Sequence, residues 1–574
     1  MKSGKLAAVA LVACLLIAAP GCTKVKTLGS GIGSIGAAPA APHLEKRGNV
    51  IQLIVDGKPY LALAGELHNS ASSSAEHMQS IWPKLQQMNL NTVLAVVSWE
   101  QIEPKEGQFD FTVVDQLLRD ARQHDMRLAV LWFGSWKNGT SRYQPAWVKA
   151  DTQRFPLIRN KAGNTLEILS ALSEETCKAD AKAFAALMRH IKQVDSRERT
   201  VIMIQMQNEV GVLGDSRDRS PAADAAFAAQ VPPPLIEYLT SHRQTLRPEL
   251  RKLWDANGNK TSGTWEELLG AGPATDEAFQ AWNYARYCNH VSEAGKAEYN
   301  LPTFVNAWIV QPEDKGPGDY PAGGPQSHVH DLWLAGAPSI DILAPDIYLP
   351  DFPGIMKMYA EKGRAMFVPE SRPGALGAAN AYYAIGQAGS IGYSPFGIED
   401  REEVGGGIPL AYRTLAHLAP QILEHQAKGS IGAIWLSKDK PSDQISLGNY
   451  TITAQLRKDR RNPSFVPDLG YVMIMNTGAD EYLLSGSDVQ VTFSPNTPGA
   501  PIVGLANVQE MIRVPAGKLT GEKWVPGRIL NGDEVQLRYD LSPAAAENQS
   551  GAGIRFLAGA PGIQKVTLYR CGGR

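Results

Sequence analysis

Short apolar runs alternate with amphipathic segments along most of the chain. The apolar runs predict eight strands, at Tyr60–Ala64, Thr92–Val97, Arg127–Trp132, Val201–Met206, Thr303–Val305, Ile340–Leu343, Ala365–Val368 and Ser390–Tyr393. Apolar residues recur at helical spacing between most of them, as in Met78, Ile81, Trp82, Leu85 and Met88. Strands that alternate with helices predict an α/β fold, a (β/α)8 TIM barrel closed by a helix from about Leu410 to Gln426.

The pattern changes in two places. Residues 211–300 read as mostly helical and predict an insertion between the fourth and fifth strands. From residue 429 onward the chain contains short β-type runs, such as Tyr450–Leu456 and Val489–Phe493, with Gly, Pro and Asn between them. That spacing predicts a C-terminal all-β domain, a sandwich or jelly-roll-like fold, over residues 429–574. The barrel would then occupy residues 46–428.

The amino terminus is typical of an exported protein. Lys2 and Lys5 precede an apolar run from Leu6 to Ala19 that is too short to span a membrane comfortably. The run ends in Ala-Pro-Gly-Cys at residues 19–22, which resembles a bacterial lipoprotein box. We therefore expect a signal peptide over residues 1–22, with lipidation of Cys22; simple cleavage near Ala19 is the alternative. The Gly-, Ala-, Ser- and Pro-rich residues 23–45 predict a flexible tether. The expected location is the periplasm or cell envelope.

Composition narrows the classes of function. The chain has 574 residues, of which 44% are hydrophobic, and its formal net charge is −2. This balance gives no reason to expect nucleic acid as a partner, and a membrane would be contacted only through the lipid anchor. The Gly-rich segment 31–36 follows no strand, so it predicts no nucleotide site. His328 and His330 have no third ligand at a known spacing, so we expect neither a metal nor a cofactor.

Two of the predicted strands end in a carboxylate. Glu209 follows the fourth strand and Glu370 follows the seventh. The carboxyl ends of barrel strands form the face where barrel enzymes carry their chemistry, and the fourth and seventh strands face each other across it. Hydrolysis of a glycosidic bond with retention needs two carboxyl groups about 5–5.5 Å apart. The pattern therefore predicts Glu209 as acid/base and Glu370 as nucleophile.

Other polar and aromatic residues at strand ends are candidates for substrate binding. Asn208 precedes the acid/base and is expected to bond the sugar 2-hydroxyl, while Tyr348 is expected to hold Glu370 ionised through its hydroxyl. The remaining candidates are Glu66, His68, Asn69, Trp99, Trp132, Trp136, Asn138, Asn306, Trp308 and Tyr393. For each of these, a role in loop structure or core packing is an equal alternative.

Several motifs resemble a known clan of enzymes. Residues 205–211, Gln-Met-Gln-Asn-Glu-Val-Gly, resemble the acid/base motif of family thirty-five β-galactosidases in the large clan of (β/α)8 glycosidases. Residues 91–104 are similar to the second-strand signature shared by families thirty-five and forty-two, and Pro-Glu-Ser-Arg-Pro-Gly at 369–374 resembles family forty-two. Val96 and Ser135 depart from family thirty-five, which has Tyr and a galactose-binding Glu at the aligned positions. The resemblance covers roughly residues 50–400, and the C-terminal region resembles the small β-domain of some bacterial members.

The resemblance and the two carboxylates together predict an exported retaining exo-β-glycosidase. The expected activity is that of a β-galactosidase that trims galactose from oligosaccharide side chains. Two alternatives remain open from the sequence: another β-glycosidase of the same clan, such as a glucosidase, arabinosidase or fucosidase, and a non-catalytic sugar-binding surface lipoprotein. The presence of both carboxylates argues against the second alternative.

Overall fold

The computed structural model describes residues 40–360, 363–458, 466–515, 522–535 and 552–572. Contacts divide the chain after Pro39, and every described residue belongs to the part that begins at Ala40. The expected signal peptide, Cys22 and most of the expected tether therefore lie outside the described residues. The end of the expected tether is different, because His43–Arg47 form a strand.

The part of the chain before residue 400 contains twelve described strands. In chain order they are β1 His43–Arg47, β2 Val50–Val55, β3 Lys58–Tyr60, β4 Ala62–Glu66, β5 Thr92–Ser98, β6 Arg127–Lys137, β7 Leu157–Arg159, β8 Thr165–Leu169, β9 Val201–Asn208, β10 Thr303–Trp308, β11 Ile342–Asp346 and β12 Gly392–Tyr393. Seven of them form one parallel sheet in the order β11-β10-β9-β6-β5-β4-β12. This parallel arrangement confirms the barrel-type α/β fold expected from the sequence.

The predicted seventh strand, Ala365–Val368, is present as an irregular segment rather than a regular strand. Val368 bridges to Tyr393 of β12, and Ser371 bridges to Ile347 just after β11, both in parallel. The Ile347 amide donates to the carbonyl of Glu370 over 2.9 Å, which brings this segment between β11 and β12. Because β12 also pairs with β4, the ring of strands is complete.

The barrel interior is apolar through most of its depth. Inward-facing residues such as Ala64, Leu131, Phe304 and Ala344 belong to one buried cluster, and Leu53 of the antiparallel β2–β3 hairpin joins it. The hairpin turns at Asp56, whose carboxylate bonds Arg127 and Arg199 at the amino ends of β6 and β9. The hairpin therefore covers the amino end of the barrel, and the opposite end is the one open to chemistry.

The helices lie between and after these strands. They are α1 Ala75–Met78, α2 Ile81–Gln87, α3 Trp99–Ile102, α4 Thr112–Gln123, α5 Ala146–Ala150, α6 Glu174–Asp195, α7 Pro221–Phe227, α8 Pro233–His242, α9 Pro248–Ala256, α10 Trp265–Leu269, α11 Pro273–Glu298, α12 His330–Gly336, α13 Phe352–Tyr359, α14 Gly374–Gly386, α15 Ile398–Arg401 and α16 Gly407–Lys428. Short 3-10 helices cover Ala71–Ser73, Ser327–Val329 and Gly532–Glu534.

The segment expected to be an insertion is only partly additional to the barrel. Its last helix, α11, packs tightly on α6, since a Cβ built at Gly295 would lie 2.1 Å from the ring of Phe184. Helix α11 thus stands where a barrel helix between β9 and β10 is required, and α7–α10 are the added elements. Among the described residues, no helix is long and apolar enough to cross a membrane.

The last part of the chain is all-β, as predicted. Its described strands are β13 Ile431–Ser437, β14 Ser442–Leu447, β15 Tyr450–Leu456, β16 Leu469–Gly478, β17 Glu481–Ser487, β18 Val489–Pro495, β19 Ile502–Pro515, β20 Glu522–Ile529, β21 Gly553–Arg555 and β22 Gly562–Cys571. They form a six-stranded sheet, β13-β16-β17-β22-β19-β20, and a four-stranded sheet, β14-β15-β18-β21. Side chains of both sheets, including Ile452, Ile474, Leu484 and Val491, share one buried cluster.

The six-stranded sheet also packs against the barrel. Tyr382 of α14 and Ser485 of β17 share a hydrogen bond of 2.9 Å. The side chain of Met473 in β16 lies 3.1 Å from the position that a Cβ of Gly386 would take. The division of the chain at residue 429 stays a prediction, because residues 40–574 group as a single unit.

Candidate active site

Glu209 lies directly after β9, at the open end of the barrel. Its φ is 45° and that of Gln207 is 59°, a region that residues with a Cβ adopt rarely and at an energy cost. Asn306 at the end of β10 holds this backbone, because its Oδ1 accepts from the Glu209 amide over 3.0 Å. The Glu209 side chain is 6% exposed, and Asn138 donates its amide hydrogen to Oε2.

Glu370 lies opposite, in the segment between β11 and β12, and is 4% exposed. Three side chains donate to its carboxylate: Tyr348 to Oε2 over 2.9 Å, and the amides of Asn208 and Asn306 to Oε1 over 3.3 Å each. The carboxylate is therefore fixed in orientation by donors from β9, from β10 and from the segment that follows β11. Such donors stabilise the charged form that a nucleophile requires.

A third acid, Asp346, joins the pair. One carboxyl oxygen from each of Glu209, Asp346 and Glu370 lies within 4.8 Å of the other two. Asn306 donates to Oδ2 of Asp346 over 2.8 Å, while Oδ1 is buried and has no hydrogen-bond partner. Asp346 follows Ala344 by two positions on β11, so it faces the barrel interior one layer above the apolar core.

The positive charge beside these acids comes from Lys137, which is 6% exposed at the end of β6. Its ammonium group donates to Oδ1 of Asn208 over 2.9 Å, and the same Asn208 donates to Glu370. Burial alone would lower the pKa of Lys137, but the surrounding acids Glu370, Glu209, Glu66 and Asp346 raise it, so the group carries its proton. One buried cation thus lies among four buried acids.

Burial, with the negative charge of Glu370 as the next cause, raises the pKa of Glu209 to about 8. Lys137 and the hydrogen bonds from Asp346 and Asn138 act in the opposite direction. Burial also raises the pKa of Asp346 and of Glu66 well above the ordinary range, with Glu370 as the next cause in both. Glu209 is therefore mostly protonated at neutral pH, as a general acid must be.

Glu66, at the end of β4, is completely buried, and neither carboxyl oxygen has a hydrogen-bond partner. Oδ1 of Asn69 is also buried without a partner. Buried polar atoms in native proteins are nearly always paired, so these atoms are expected to bond a ligand or water. Both residues remain candidates for substrate binding.

A second buried polar network lies behind the sheet. Asp180 of α6 accepts from Trp132 Nε1 over 2.8 Å, from Gln207 Nε2 over 2.7 Å and from the Ser135 hydroxyl over 2.8 Å. Between Trp132 and Lys137 the pairing of β6 with β9 shifts register. Asp180 thus ties the irregular end of β6 to the positive-φ residue Gln207, and so holds the two strand ends that carry Lys137 and Glu209.

Three residues predicted to contact the substrate are buried and bonded to protein groups. Trp136 is buried, donates Nε1 to the Leu169 carbonyl over 3.0 Å, and packs against tyrosines of α11, so it presents no face to a sugar. Trp99 is buried and bonds Glu103. Tyr393 is buried and donates to Ser371 over 2.8 Å, so it supports the Glu370 segment from behind.

The structure also adjusts other assignments. Asn208, Asn306 and Tyr348 lie at the site as predicted, but most of their hydrogen-bonding capacity is used by protein groups. Ser135 faces Asp180 rather than the acids, so the family's galactose-binding position is not filled by it. Lys137 and Asp346 were missed. Asp346 could have been found because it lies two positions after the inward-facing Ala344 on the same strand. The position of Lys137 depends on the irregular end of β6, which no sequence pattern shows.

A cavity of about 670 Å³ lies beyond the ends of β10 and β11. Its lining includes Ile309, Leu349, Ile355 and Met358, but none of the catalytic acids. The register of the sheet pairs Trp308 with Asp346, and Ile309 follows Trp308 directly. Leu349 likewise follows Tyr348, whose hydroxyl bonds Glu370. The wall of the cavity therefore begins just after the ends of β10 and β11.

Comparison with protein families gives two matches. Residues 68–297 match the glycoside hydrolase family 42 model, described as beta-galactosidase. Residues 409–541 match a domain of unknown function, DUF5597, which covers α16 and part of the all-β region. The first match contains Glu209, whereas Glu370 lies beyond it. Residues 68–297 are thus similar to a glycoside hydrolase family of the beta-galactosidase type, and the region after the barrel is similar to a domain of unknown function.

The chain is also similar in part to individual proteins. A beta-galactosidase of Xanthomonas manihotis is 27% identical over 173 residues, which are 29% of this chain and 26% of the relative. The beta-galactosidase of Bacillus circulans sp. alkalophilus aligns with 64% of this chain and 57% of its own, at 14% identity and a TM-score of 0.43. The catalytic domain of beta-amylase from Paenibacillus polymyxa aligns with 62% of this chain and 97% of its own, at 10% identity and a TM-score of 0.43. This chain spans about a quarter of the length of its curated relative.

Proposed function

We propose that this protein is a retaining exo-β-galactosidase that hydrolyses β-galactosides by double displacement. The observation that carries the proposal is the position of Glu209 and Glu370, which bring carboxyl oxygens within 4.8 Å of each other. Inverting enzymes keep their two carboxyl groups about 6.5–9.5 Å apart to leave room for a water molecule, whereas retaining enzymes keep them about 5–5.5 Å apart. The spacing favours direct attack by a carboxylate.

The two acids have environments that suit different tasks. Glu370 accepts three hydrogen bonds, from Tyr348, Asn208 and Asn306, which favour an oriented anion. Glu209 is held protonated by burial and by the charge of Glu370, with a pKa raised to about 8. Glu209 then donates its proton to the glycosidic oxygen while Glu370 attacks the anomeric carbon, which forms a glycosyl-enzyme ester and releases the aglycone.

The second half of the reaction follows from the same electrostatics. Once Glu370 is esterified its negative charge is gone, and one of the causes that raise the pKa of Glu209 disappears. Glu209 can then remain ionised and take a proton from water as the water attacks the anomeric carbon. The ester bond to Glu370 breaks, the sugar leaves with retained configuration, and Glu209 again carries a proton.

Galactose as the sugar is supported by the family match over residues 68–297 and by the curated relative. The unpartnered oxygens of Glu66 and Asp346 lie beside the acids and would receive sugar hydroxyls. Oligosaccharide side chains as the natural substrate rest on the sequence resemblance. The other β-glycosides of the clan are distinguished by a panel of matched nitrophenyl β-glycosides, which also detects a non-catalytic sugar-binding protein.

The test of the mechanism is chemical rescue. Glu370→Ala is expected to lose nearly all turnover of nitrophenyl β-galactoside, and azide is expected to restore part of it with an α-galactosyl azide as product. Glu103→Ala is the matched control, because Glu103 is a buried acid that bonds Trp99 away from the site. Azide should not change its rate. A Glu370→Ala enzyme with near wild-type turnover, or a β-azide product, would refute the nucleophile assignment.

We also propose export to the periplasm or cell envelope, with lipidation at Cys22. The support is the leader pattern of residues 1–22. Fractionation of cells that produce the native chain and a Cys22→Ala variant tests this. Lipidation predicts that the native chain partitions with membranes and the variant is released, whereas simple cleavage near Ala19 predicts the same soluble fraction for both.

A further inference from the structure

Asp346 is the third acid of the site, and the double displacement described above gives it no task. It is 2% exposed at the end of β11, and its carboxyl group is in hydrogen-bonding contact with that of Glu209. We propose that Asp346 is a positioning residue that carries a proton throughout the reaction and donates it in a hydrogen bond to Glu209. This inference rests on the proposed β-galactosidase function.

The hydrogen bonds around Asp346 leave one of its oxygens without a partner. Oδ2 accepts from Nδ2 of Asn306 over 2.8 Å, whereas Oδ1 is buried and unpartnered. One carboxyl oxygen of Asp346 lies within 4.8 Å of one from Glu209 and one from Glu370. Ionised carboxylates only accept hydrogen bonds, so two carboxyl groups in contact can bond only when one of them carries a proton. Since buried polar atoms are nearly always paired, a proton on Oδ1 gives this oxygen the partner that it lacks.

The other hydrogen bonds of the site favour Glu209 as the acceptor. Glu370 already accepts from three side chains, which orient it as an anion. Glu209 accepts from Asn138 and has room for a second donor, because a carboxylate offers about four lone-pair positions. The hydroxyl of a protonated Asp346 supplies that donor. Its oxygen keeps lone pairs, so it can still accept a sugar hydroxyl.

The ionisable groups around Asp346 favour its neutral form. They are Glu66, Glu209, Glu370, Lys137, Tyr348 and Tyr359. Burial, with the charge of Glu370 as the next cause, raises the pKa of Asp346 well above its usual range. Burial also raises the pKa of both tyrosines, so they add no charge. With protons on the other three acids, the site holds one anion, Glu370, and one cation, Lys137, and buried charges are tolerated best when they are balanced in this way.

The proton stays on Asp346 through both halves of the reaction. When Glu209 gives its own proton to the glycosidic oxygen it becomes a carboxylate, and the hydrogen bond from Asp346 becomes charge-assisted and stronger. In the second half Glu209 takes a proton from the attacking water, and this hydrogen bond weakens again. Asp346 therefore stabilises the ionised Glu209 that the second half requires, and it exchanges no proton with the substrate.

The alkaline limb of the rate profile, where Glu209 loses its proton, tests this role through the direction in which it moves. Asp346→Asn replaces one neutral donor by another, so the limb should stay in place. Asp346→Leu has a similar shape but no donor. Loss of a hydrogen bond to a charged group should disfavour ionised Glu209 about 10- to 100-fold, which moves the limb to higher pH by about one unit or more.

An ionised Asp346 predicts the opposite result. Its replacement by Asn would then remove a negative charge beside Glu209, lower the pKa of Glu209 and move the limb to lower pH. Such a shift in Asp346→Asn, or an unchanged limb in Asp346→Leu, would overturn the inference. Asp110→Asn is the matched control, because Asp110 is exposed and hydrogen bonds from Thr112 lower its pKa. It should leave the limb in place.

Infrared difference spectroscopy provides a measurement that does not depend on activity. At neutral pH, the spectrum of the wild type minus that of Asp346→Asn should contain the band of a protonated carboxylic acid. The same difference for Asp110→Asn should contain the bands of a carboxylate. Carboxylate bands in the Asp346→Asn difference would overturn the inference, and this result is decisive even if Asp346→Leu does not fold.

The outcomes separate this inference from the proposed function. Turnover of nitrophenyl β-galactoside with a limb that moves to lower pH in Asp346→Asn refutes the proton on Asp346 and leaves the galactosidase proposal standing. No turnover of any β-galactoside by the wild type refutes the proposed function instead. The infrared difference spectrum then still decides whether Asp346 carries a proton.

Discussion

The hydroxyl of Tyr348 donates to Oε2 of Glu370 over 2.9 Å, across the boundary between β11 and the irregular segment that carries the carboxylate. The Ile347 amide also donates to the carbonyl of Glu370, so two hydrogen bonds join these adjacent segments. Burial and the neighbouring Glu370 raise the pKa of Tyr348 strongly, so its phenol stays a donor at every relevant pH. Tyr348 therefore orients the nucleophile Glu370 as a neutral hydrogen-bond donor and does not become a second negative charge beside it.

Replacement of Tyr348 by Phe tests the value of this contact. A hydrogen bond to a charged group contributes about 1.5–3 kcal/mol, so kcat is expected to fall roughly 10- to 100-fold while KM changes little. The measurement is steady-state kinetics on nitrophenyl β-galactoside. Tyr382→Phe serves as control, because Tyr382 is a buried tyrosine that bonds Ser485 and lies away from the acids. Equal losses in both variants would indicate a general effect on the fold.

Glu209 is expected to set the alkaline limb of the rate profile. Its pKa is raised to about 8 by burial and by Glu370, so the protonated acid and the rate should both decline above about pH 8. A Glu209→Gln variant should lose this limb and retain activity mainly on substrates with good leaving groups, which need no proton. An unchanged alkaline limb in the variant would assign the general acid to another residue.

Lys137 is expected to influence the pH at which the alkaline limb begins. Its positive charge lowers the pKa of Glu209, so Lys137→Met should move the alkaline limb to higher pH. The rate should fall at the same time, since Asn208 loses the partner that holds its amide toward Glu370. The pH profile is the readout, because a purely structural defect would lower the rate at every pH and leave the limb in place. Lys182→Met, at an exposed position that faces Glu103, is the control.

The barrel and its two main acids were accessible from the sequence because periodicity and strand ends carry the necessary information. Thr92–Val97 and Val201–Met206 alternate with helical segments, and in a parallel barrel their carboxyl ends must meet on one face. Glu209 and Glu370 could be identified because each lies within three residues of the end of a predicted strand. The same rule correctly brought Asn208, Asn306 and Tyr348 to this face.

The direction of side chains at the strand ends could not be predicted from the sequence. Trp99, Trp136 and Tyr393 also lie at or near the carboxyl ends of strands, but whether such a side chain points into the barrel mouth or behind the sheet depends on local backbone geometry. At β6 the register shifts between Trp132 and Lys137, which turns Trp136 toward α11 and brings Lys137 to the acids. No hydrophobic pattern reports such a shift. The unpaired oxygens of Glu66 and Asp346 likewise become visible only when every neighbour is in place.

Glu66 is expected to cost stability at neutral pH. Burial raises its pKa in the folded protein well above the ordinary value of 4.5. Below pH 4.5 the Glu66 carboxyl is protonated in both the folded and the unfolded protein, so it does not change the free energy of unfolding. As pH rises, the carboxyl ionises first in the unfolded chain, and the free energy of unfolding falls. Glu66→Gln cannot ionise, so it should be more stable than the wild type at pH 8, on the order of 1 kcal/mol or more, and nearly equal at pH 4.

Urea unfolding at both pH values measures this difference. Glu76→Gln is the control of opposite sign, because Glu76 is exposed and hydrogen bonds from the backbone and Ser74 lower its pKa. A Glu66→Gln protein that shows the same free energy of unfolding as the wild type at pH 8 would mean that water or another group solvates the buried carboxyl.

The remaining prediction concerns the sugar: kcat/KM on nitrophenyl β-galactoside should exceed that on the β-glucoside by about 100-fold or more. The two sugars differ in the direction of the C4 hydroxyl. A site that bonds this hydroxyl leaves its own buried groups unpaired when the epimer binds, and that penalty makes the discrimination large.

With Trp136 in the core, the candidates are Glu66, Asn69 and Asp346, each with an unpartnered buried oxygen. Glu66→Ala should narrow the ratio by about tenfold or more. Asp180→Asn, behind the sheet, should lower both rates and leave the ratio unchanged, because Asp180 contacts no sugar. Equal rates on both substrates in the wild type would leave the two-carboxylate mechanism intact and remove galactose as the substrate.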